Sequence, residues 1–185
     1  NLGSVFKYKS CNVRLPLVGE HQIQNCALAV NIAEFILKRV NGKTLNSAIS
    51  KLHWRGRMEK LSDKNIYYDV AHNYDGIKAL IKTVQKIHPD KKIVGLFCIK
   101  AEKNIELIFE LLKKYFTRVI ICQDKGKYLL SVKKLSEAFK KEKINFAEAK
   151  SVKEGIKIIT NENMGDYVRL IFGSHYIAKE VYTEF

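Results

Sequence analysis

Apolar and polar positions recur along this chain with two different periods, and the change of period divides it. SVFKYKS and NVRLPLVG, within residues 4–19, alternate with period two and predict extended chain. EHQIQNCALAVNIAEFILKRV then places Ile23, Cys26, Ala27, Val30, Ile32, Ala33, Ile36 and Leu37 at helical spacing, with Asn41-Gly42 as the expected stop. A shorter helix is predicted over Thr44–Leu52, capped by Thr44 or Asn46. HWRGRME reads as a loop. It marks a domain junction at residues 53–57, with residues 1–52 forming one part and residues 53–185 another.

Beyond the junction, strands and helices alternate. Strands are expected at Met58–Leu61, Ile66–Val70, Lys92–Ile99, Arg118–Cys122, Phe146–Ala149 and Tyr167–Phe172. Helices are expected at Asp75–Ile87, Asn104–Phe116, Ser131–Lys141, Val152–Thr160 and Ser174–Tyr182. IVGLFCI is apolar nearly throughout, as suits a strand covered on both faces of a parallel sheet. The alternation implies βαβ units and an open α/β sheet.

Composition narrows the class. With 46% hydrophobic residues in 185, the chain can bury a real core, and no apolar run approaches the roughly 18 residues of a membrane span. NLGSVFKYKS lacks the apolar stretch of a signal peptide. The chain begins with Asn1 rather than Met, which suggests a portion of a longer protein. Lys and Arg number 33 against 19 Asp and Glu, a net charge of +14 that favours anionic partners such as nucleotides or nucleic acid. Much of the excess is Lys in amphipathic stretches such as KKLSEAFKKEK, which also reads as an ordinary solvated helix face. Cys26, Cys98 and Cys122 sit in apolar segments and the four cysteines form no C-x-x-C, so a reducing cytoplasm is expected and zinc is not.

Ligands of open α/β sheets bind beyond the carboxyl ends of the strands, so the strand-to-helix turns carry most of the functional information. In IYYDVAHNYDGIKAL one such turn gathers Asp69, His72, Asn73 and Asp75. Asp69 can accept a ribose hydroxyl or hold a cation, and His72 can orient a carboxylate or phosphate. Asp75 or Asn73 reads as a helix cap. In YVRLIFGSHYIAKEV, Gly173-Ser174 opens the last helix. Ser174 is expected either to cap it or to meet an anion at its N-terminus, while His175 reads as a surface residue. Arg55 and Arg57 flank Gly56 in the junction, where a guanidinium can fork two donors onto a phosphate or form a structural ion pair. Trp54 reads as core. No G-x-x-x-x-G-K-[ST] loop, G-x-G-x-x-G, G-x-S-x-G or nucleic-acid recognition signature is present.

Several of these segments, in order, resemble one family. LVGEHQIQNCALAV resembles the L-x-G-x-H-Q-x-x-N-A helix of folylpolyglutamate synthases and dihydrofolate synthases, members of the Mur ligase superfamily. WRGRMEKL is similar to their W-x-G-R-x-E junction, YYDVAHNYDGIKAL to D-G-A-H-N-P-x-G, and GSHYIAKEVY to G-S-x-Y-x-x-x-E-V. GLFCIKAEKNI resembles a degraded D-K-D segment, with Glu102, Lys103 and Asn104 in place of Asp-Lys-Asp. Cys26, Val70 and Tyr74 depart from the family's Ala, Gly and Pro. The resemblance implies a Rossmann-like, open, mostly parallel sheet with helices on both faces, preceded by the end of an ATP-binding domain. It implies an ATP-dependent ligase that joins L-glutamate to a folate or dihydropteroate carboxylate through an acyl phosphate. Asn25 would meet the adenine, Arg57 the ATP phosphates, Asp69 the ribose, and His72 the ATP and glutamate site. Ser174 is a candidate for the glutamate carboxylate. Mg2+ would be held by the family's N-terminal domain, which also carries the phosphate loop, so this chain is expected to be inactive alone. A monomer with no nucleic-acid or membrane partner is expected. Another amide ligase of the superfamily, or a non-catalytic nucleotide- or nucleic-acid-binding α/β domain, is the alternative.

Overall fold

A computed structural model describes residues 3–101, 105–126, 128–161 and 167–185. The chain divides into two compact units, Asn1–Met58 and Glu59–Phe185. In the first, β1 (Ser4–Tyr8) and β2 (Cys11–Leu15) form an antiparallel hairpin, with Val5 opposite Arg14 and Lys7 opposite Asn12. Helices α1 (Glu20–Leu37) and α2 (Gly42–Ser50) follow. Val13, Val30 and Leu45 make its small core, with Phe6, Tyr8, Cys26, Val40 and Ile49 around them.

Both helix boundaries differ from the sequence expectation. The α1 helix stops at Lys38, which takes a left-handed conformation and returns its N–H to the Glu34 carbonyl. Asn41 and Gly42 do not stop α1: they begin α2. The Asn41 side chain accepts from the Thr44 N–H at 2.9 Å, so Asn41 is the N-cap in place of Thr44 or Asn46.

The second unit is a six-stranded sheet in the order β3-β4-β8-β5-β6-β7. Its strands are β3 (Glu59–Ser62), β4 (Ile66–Asp69), β5 (Lys92–Phe97), β6 (Phe116–Ile121), β7 (Phe146–Glu148) and β8 (Tyr167–Phe172). Among the described residues of this sheet, only the β3–β4 pairing is antiparallel. Helices α3 (Tyr74–Ile87), α4 (Ile105–Tyr115), α5 (Val132–Lys141), α6 (Val152–Asn161) and α7 (Ala178–Glu184) connect or follow the strands. Alternation along the central strands separates two apolar layers. Ile66, Tyr68, Val94, Leu96, Ile120 and Ile171 face Val152, Ile156 and Ile159 of α6 and Val181 of α7. On the opposite side Phe172 stacks on Phe116 and meets Phe97 at a tilt, and Phe97 reaches Phe139 of α5, which meets Phe109 of α4. Helices therefore cover both faces, and the fold is the Rossmann-like α/β arrangement expected from the sequence.

The chain steps outward from β4 through β5 and β6 to β7, then returns through α6 to insert β8 between β4 and β5. The helix that follows β4, α3, packs beside α4, whereas the helix that follows β8, the terminal α7, packs beside α6 on the opposite face. Where the helices that follow two neighbouring strands diverge to opposite faces, a crevice opens at the strands' carboxyl ends.

Candidate functional site

That carboxyl edge gathers the second unit's candidates. Asp69, the last residue of β4, pairs in register with Phe172, the last of β8. Asp69 is buried, and its Oδ1 accepts the Ala71 N–H at 2.8 Å. The carboxylate thus ties down the turn that presents His72, instead of standing at an open strand end. His72 is exposed, and its Nδ1 lies 2.9 Å from the Val70 carbonyl oxygen. A carbonyl only accepts, so Nδ1 carries the proton and Nε2 of the neutral ring is an acceptor. Asn73 caps α3 by accepting from the Gly76 N–H at 2.8 Å, and Asp75 sits inside the first turn. The cap is therefore Asn73 rather than Asp75.

Ser174 lies at the same edge, because the Tyr68 hydroxyl donates to its carbonyl oxygen at 2.9 Å. Its surroundings correct the expectation of a helix N-terminus. The last helix begins at Ala178, and Ser174 belongs to the turn before it. Ser174 is 3% exposed, and its Oγ accepts the Tyr176 N–H at 3.0 Å. Gly173 is required here: its φ is 104°, and a Cβ would collide with the Cys98 carbonyl oxygen.

Two further groups at this edge are not read from sequence as belonging to it: Asp124 is not singled out, and Cys98 and Cys122 read only as apolar residues. Asp124, 4% exposed, accepts from Tyr128 N at 3.1 Å and from Leu129 N at 3.0 Å. Cys98 and Cys122, at the ends of neighbouring strands, bring their Sγ atoms to 3.2 Å. The hydrogen bond with Cys122 and burial hold the Cys98 thiol well above its usual range, so that thiol stays protonated. The signal for Asp124 is its place just after the apolar run RVIIC, where the rule that points to Asp69 applies equally.

Asn25 and Arg57 belong to the first unit. Asn25 is exposed on α1, one turn beyond His21, so the two share a side of the helix. Arg57 is half-buried between Gly56 (φ 69°) and Met58 (φ 47°). Its charge acts on His21: burial first, then the Arg57 guanidinium, lowers the imidazole pKa. Asn25 thus shares a helix side with an imidazole that the Arg57 charge reaches. Trp54, expected in the core, is 60% exposed. Glu102, Lys103 and Asn104 lie outside the described residues. Among the described residues no cluster of three or more His, Cys, Asp or Glu forms a metal site, and no helix is long and apolar enough to cross a membrane.

The sequence profile of the Mur ligase glutamate ligase domain matches residues 56–175. The chain belongs to this family. The dihydrofolate synthase/folylpolyglutamate synthase of Bacillus subtilis is 25% identical over 97% of the chain, which spans 44% of that relative. Mycobacterium tuberculosis folylpolyglutamate synthase complexed with ADP superposes with a TM-score of 0.82 at 20% identity, covering 98% of this chain and 46% of that one. E. coli FolC in complex with DHPP and ADP gives 0.80 at 18%, covering 97% and 43%. The chain therefore spans less than half the length of these relatives.

Proposed function

We propose that this chain is the glutamate-adding portion of an ATP-dependent ligase that joins L-glutamate to a folate or dihydropteroate carboxylate. The observation that carries the reading is the Asp69–His72 turn. A ligase-family domain here holds a buried carboxylate and an exposed imidazole of fixed tautomer at the mouth of its sheet.

In the reaction the substrate carboxylate attacks the γ-phosphorus of ATP and ADP leaves. The glutamate amine then displaces phosphate from the acyl phosphate, forming the amide. Little of this needs covalent help from protein, so positioning and charge stabilisation dominate. His72 Nε2, held as an acceptor by the Nδ1–Val70 bond, takes the proton that the glutamate ammonium must lose before it can attack. Arg57 supplies the planar fork for the ATP phosphates, and Asn25, with donor and acceptor on one amide, suits the adenine edge. Asp69 is the acceptor this reading gives to a ribose hydroxyl. Taken one by one, these donor and acceptor types suit the groups of a nucleotide. Mg2+ bound with ATP would neutralise phosphate charge, and the phosphate loop and metal ligands are assigned to the portion of the ligase beyond this chain. The 185 residues alone would then not turn over ATP. A cytoplasmic monomer working on small molecules, without nucleic acid or membrane, completes the reading.

The test is made in the ligase that carries this domain. His72→Ala should lower kcat/KM for ligation at least about 100-fold, roughly 2.7 kcal/mol of transition-state stabilisation, with little change in thermal stability. Arg57→Lys keeps charge but loses the fork, and should cost about 10-fold or more in kcat while ATP binding weakens much less. Wild-type ligation rates in both variants would remove the turn and the junction from the active site.

A further inference from the structure

The described carboxyl edge carries one feature that the proposed reaction does not use. Tyr128, on the loop after β6, and Tyr176, on the turn after β8, stack with ring centroids 5.2 Å apart and planes 21° from parallel. The His175 ring lies 4.3 Å from that of Tyr176. Tyr128 is 65% exposed and Tyr176 43%. Apolar ring faces left in water are costly, and these two are held there by construction.

Each tyrosine has its own backbone N–H fixed by a buried polar side chain. Asp124 Oδ2 accepts from Tyr128 N, and Ser174 Oγ accepts from Tyr176 N. Both acceptors are at least nine-tenths buried. Gly126 adds a third constraint, because a Cβ there would strike the Tyr128 ring. Two different loops, each braced from inside, thus present two stacked rings at the edge of the sheet where ligands of this architecture bind.

We propose that Tyr128 and Tyr176, with His175, form a stacking platform for a planar aromatic ring of a small-molecule ligand. Asp124 and Ser174 act as its positioning residues. The proposal rests on the ligase reading, in which both the carboxylate substrate and the nucleotide carry such a ring. The ring assigned here is the aromatic portion of the carboxylate substrate. At 65% exposure Tyr128 retains room for a third ring. Glutamate, which has no ring, gains nothing from such a surface.

The experiment titrates the 185-residue chain with 4-aminobenzoyl-L-glutamate, with ADP, and with L-glutamate, following backbone amide resonances by NMR. The aminobenzoyl compound should give saturable shifts at Tyr128, His175 and Tyr176. Tyr128→Ala and Tyr176→Ala should each weaken its binding at least about threefold, whereas the Phe variants, which keep the stack, should bind within about twofold of wild type. Ser174→Ala should weaken binding without removing either ring. If L-glutamate alone gives equal shifts, recognition is of the carboxylate and the proposal fails. ADP shifting these residues while the aminobenzoyl compound does not would transfer the platform to the adenine and overturn the assignment. Ala variants that lower the melting temperature yet bind as wild type would leave the stack a loop lock and nothing more. Loss of ligation in His72→Ala without ring binding would sink this inference alone. Ring binding with unimpaired ligation in His72→Ala would sink only the role given to the turn.

Discussion

Asp69 shows how one side chain serves structure and chemistry together. Its Oδ1 holds the Ala71 N–H in a buried turn, so truncation leaves a donor unpaired. Asp69→Ala should therefore cost about 1–3 kcal/mol of stability as well as activity. Asp69→Asn keeps a carbonyl oxygen for that N–H but removes the charge, and should melt close to wild type. Both should lose at least about 100-fold in kcat/KM in the complete ligase if the carboxylate acts on the nucleotide. Chemical denaturation and steady-state ligation on the two variants separate the roles. A fully active Asn variant would reduce Asp69 to a brace for His72. Arg169 is a buried charge of another kind, wholly structural in its visible bonds. Its Nε donates to the Ile159 carbonyl at 3.0 Å and its Nη1 to the Lys64 carbonyl at 2.9 Å, meeting acceptors near the end of α6 and in the β3–β4 turn.

Among the elements, the exit from β8 tolerates least change. Gly173 combines a φ of 104° with a site where a Cβ would meet backbone, the Cys98 carbonyl of the neighbouring strand, rather than a movable side chain. Gly173→Ala should destabilise the chain by at least about 2 kcal/mol, adding left-handed strain to overpacking. Gly126→Ala, which displaces only the end of a tyrosine, should cost far less; urea denaturation compares the two. The same exit shows where sequence reasoning stops. Strands such as Lys92–Phe97 are legible because burial on both faces leaves an unbroken apolar run from Ile93 onward. The start of α7 is not, because Gly-Ser before an apolar run looks like a cap, whereas Ser174 is drawn inward by the Tyr68 hydroxyl, a partner 106 positions away. The burial of Asp69 is equally hidden, since it follows from register with Phe172. Local chemistry located the His72 turn, but the bracing by Asp124 depends on how its loop folds back on itself.

At the scale of the whole molecule, two histidines make stability respond to pH, one in each unit. His21 titrates low because of burial and the Arg57 charge. His88, at the end of α3, titrates low because of burial and then the charges of Lys91 and Lys60. Burial also raises the Tyr67 pKa, so its hydroxyl stays protonated and donates to the neutral His88 Nε2 at 2.9 Å. For both histidines the folded-state pKa lies below the unfolded one, so within that window the native chain binds fewer protons than the unfolded chain. Their contribution is complete above the ordinary histidine value and is lost as pH falls from there through the depressed folded value. Below both it levels off. The melting temperature should accordingly fall between about pH 7.5 and about pH 5.5, before carboxylates titrate. His88→Gln keeps a side-chain acceptor for Tyr67 without a titrating ring. It should flatten that slope for probes in Glu59–Phe185, and His21→Gln should do so for probes in Asn1–Met58. A melting temperature that rises on acidification would mean that the imidazoles gain partners on protonation. The neutral Tyr67–His88 bond would then be the wrong description of that contact.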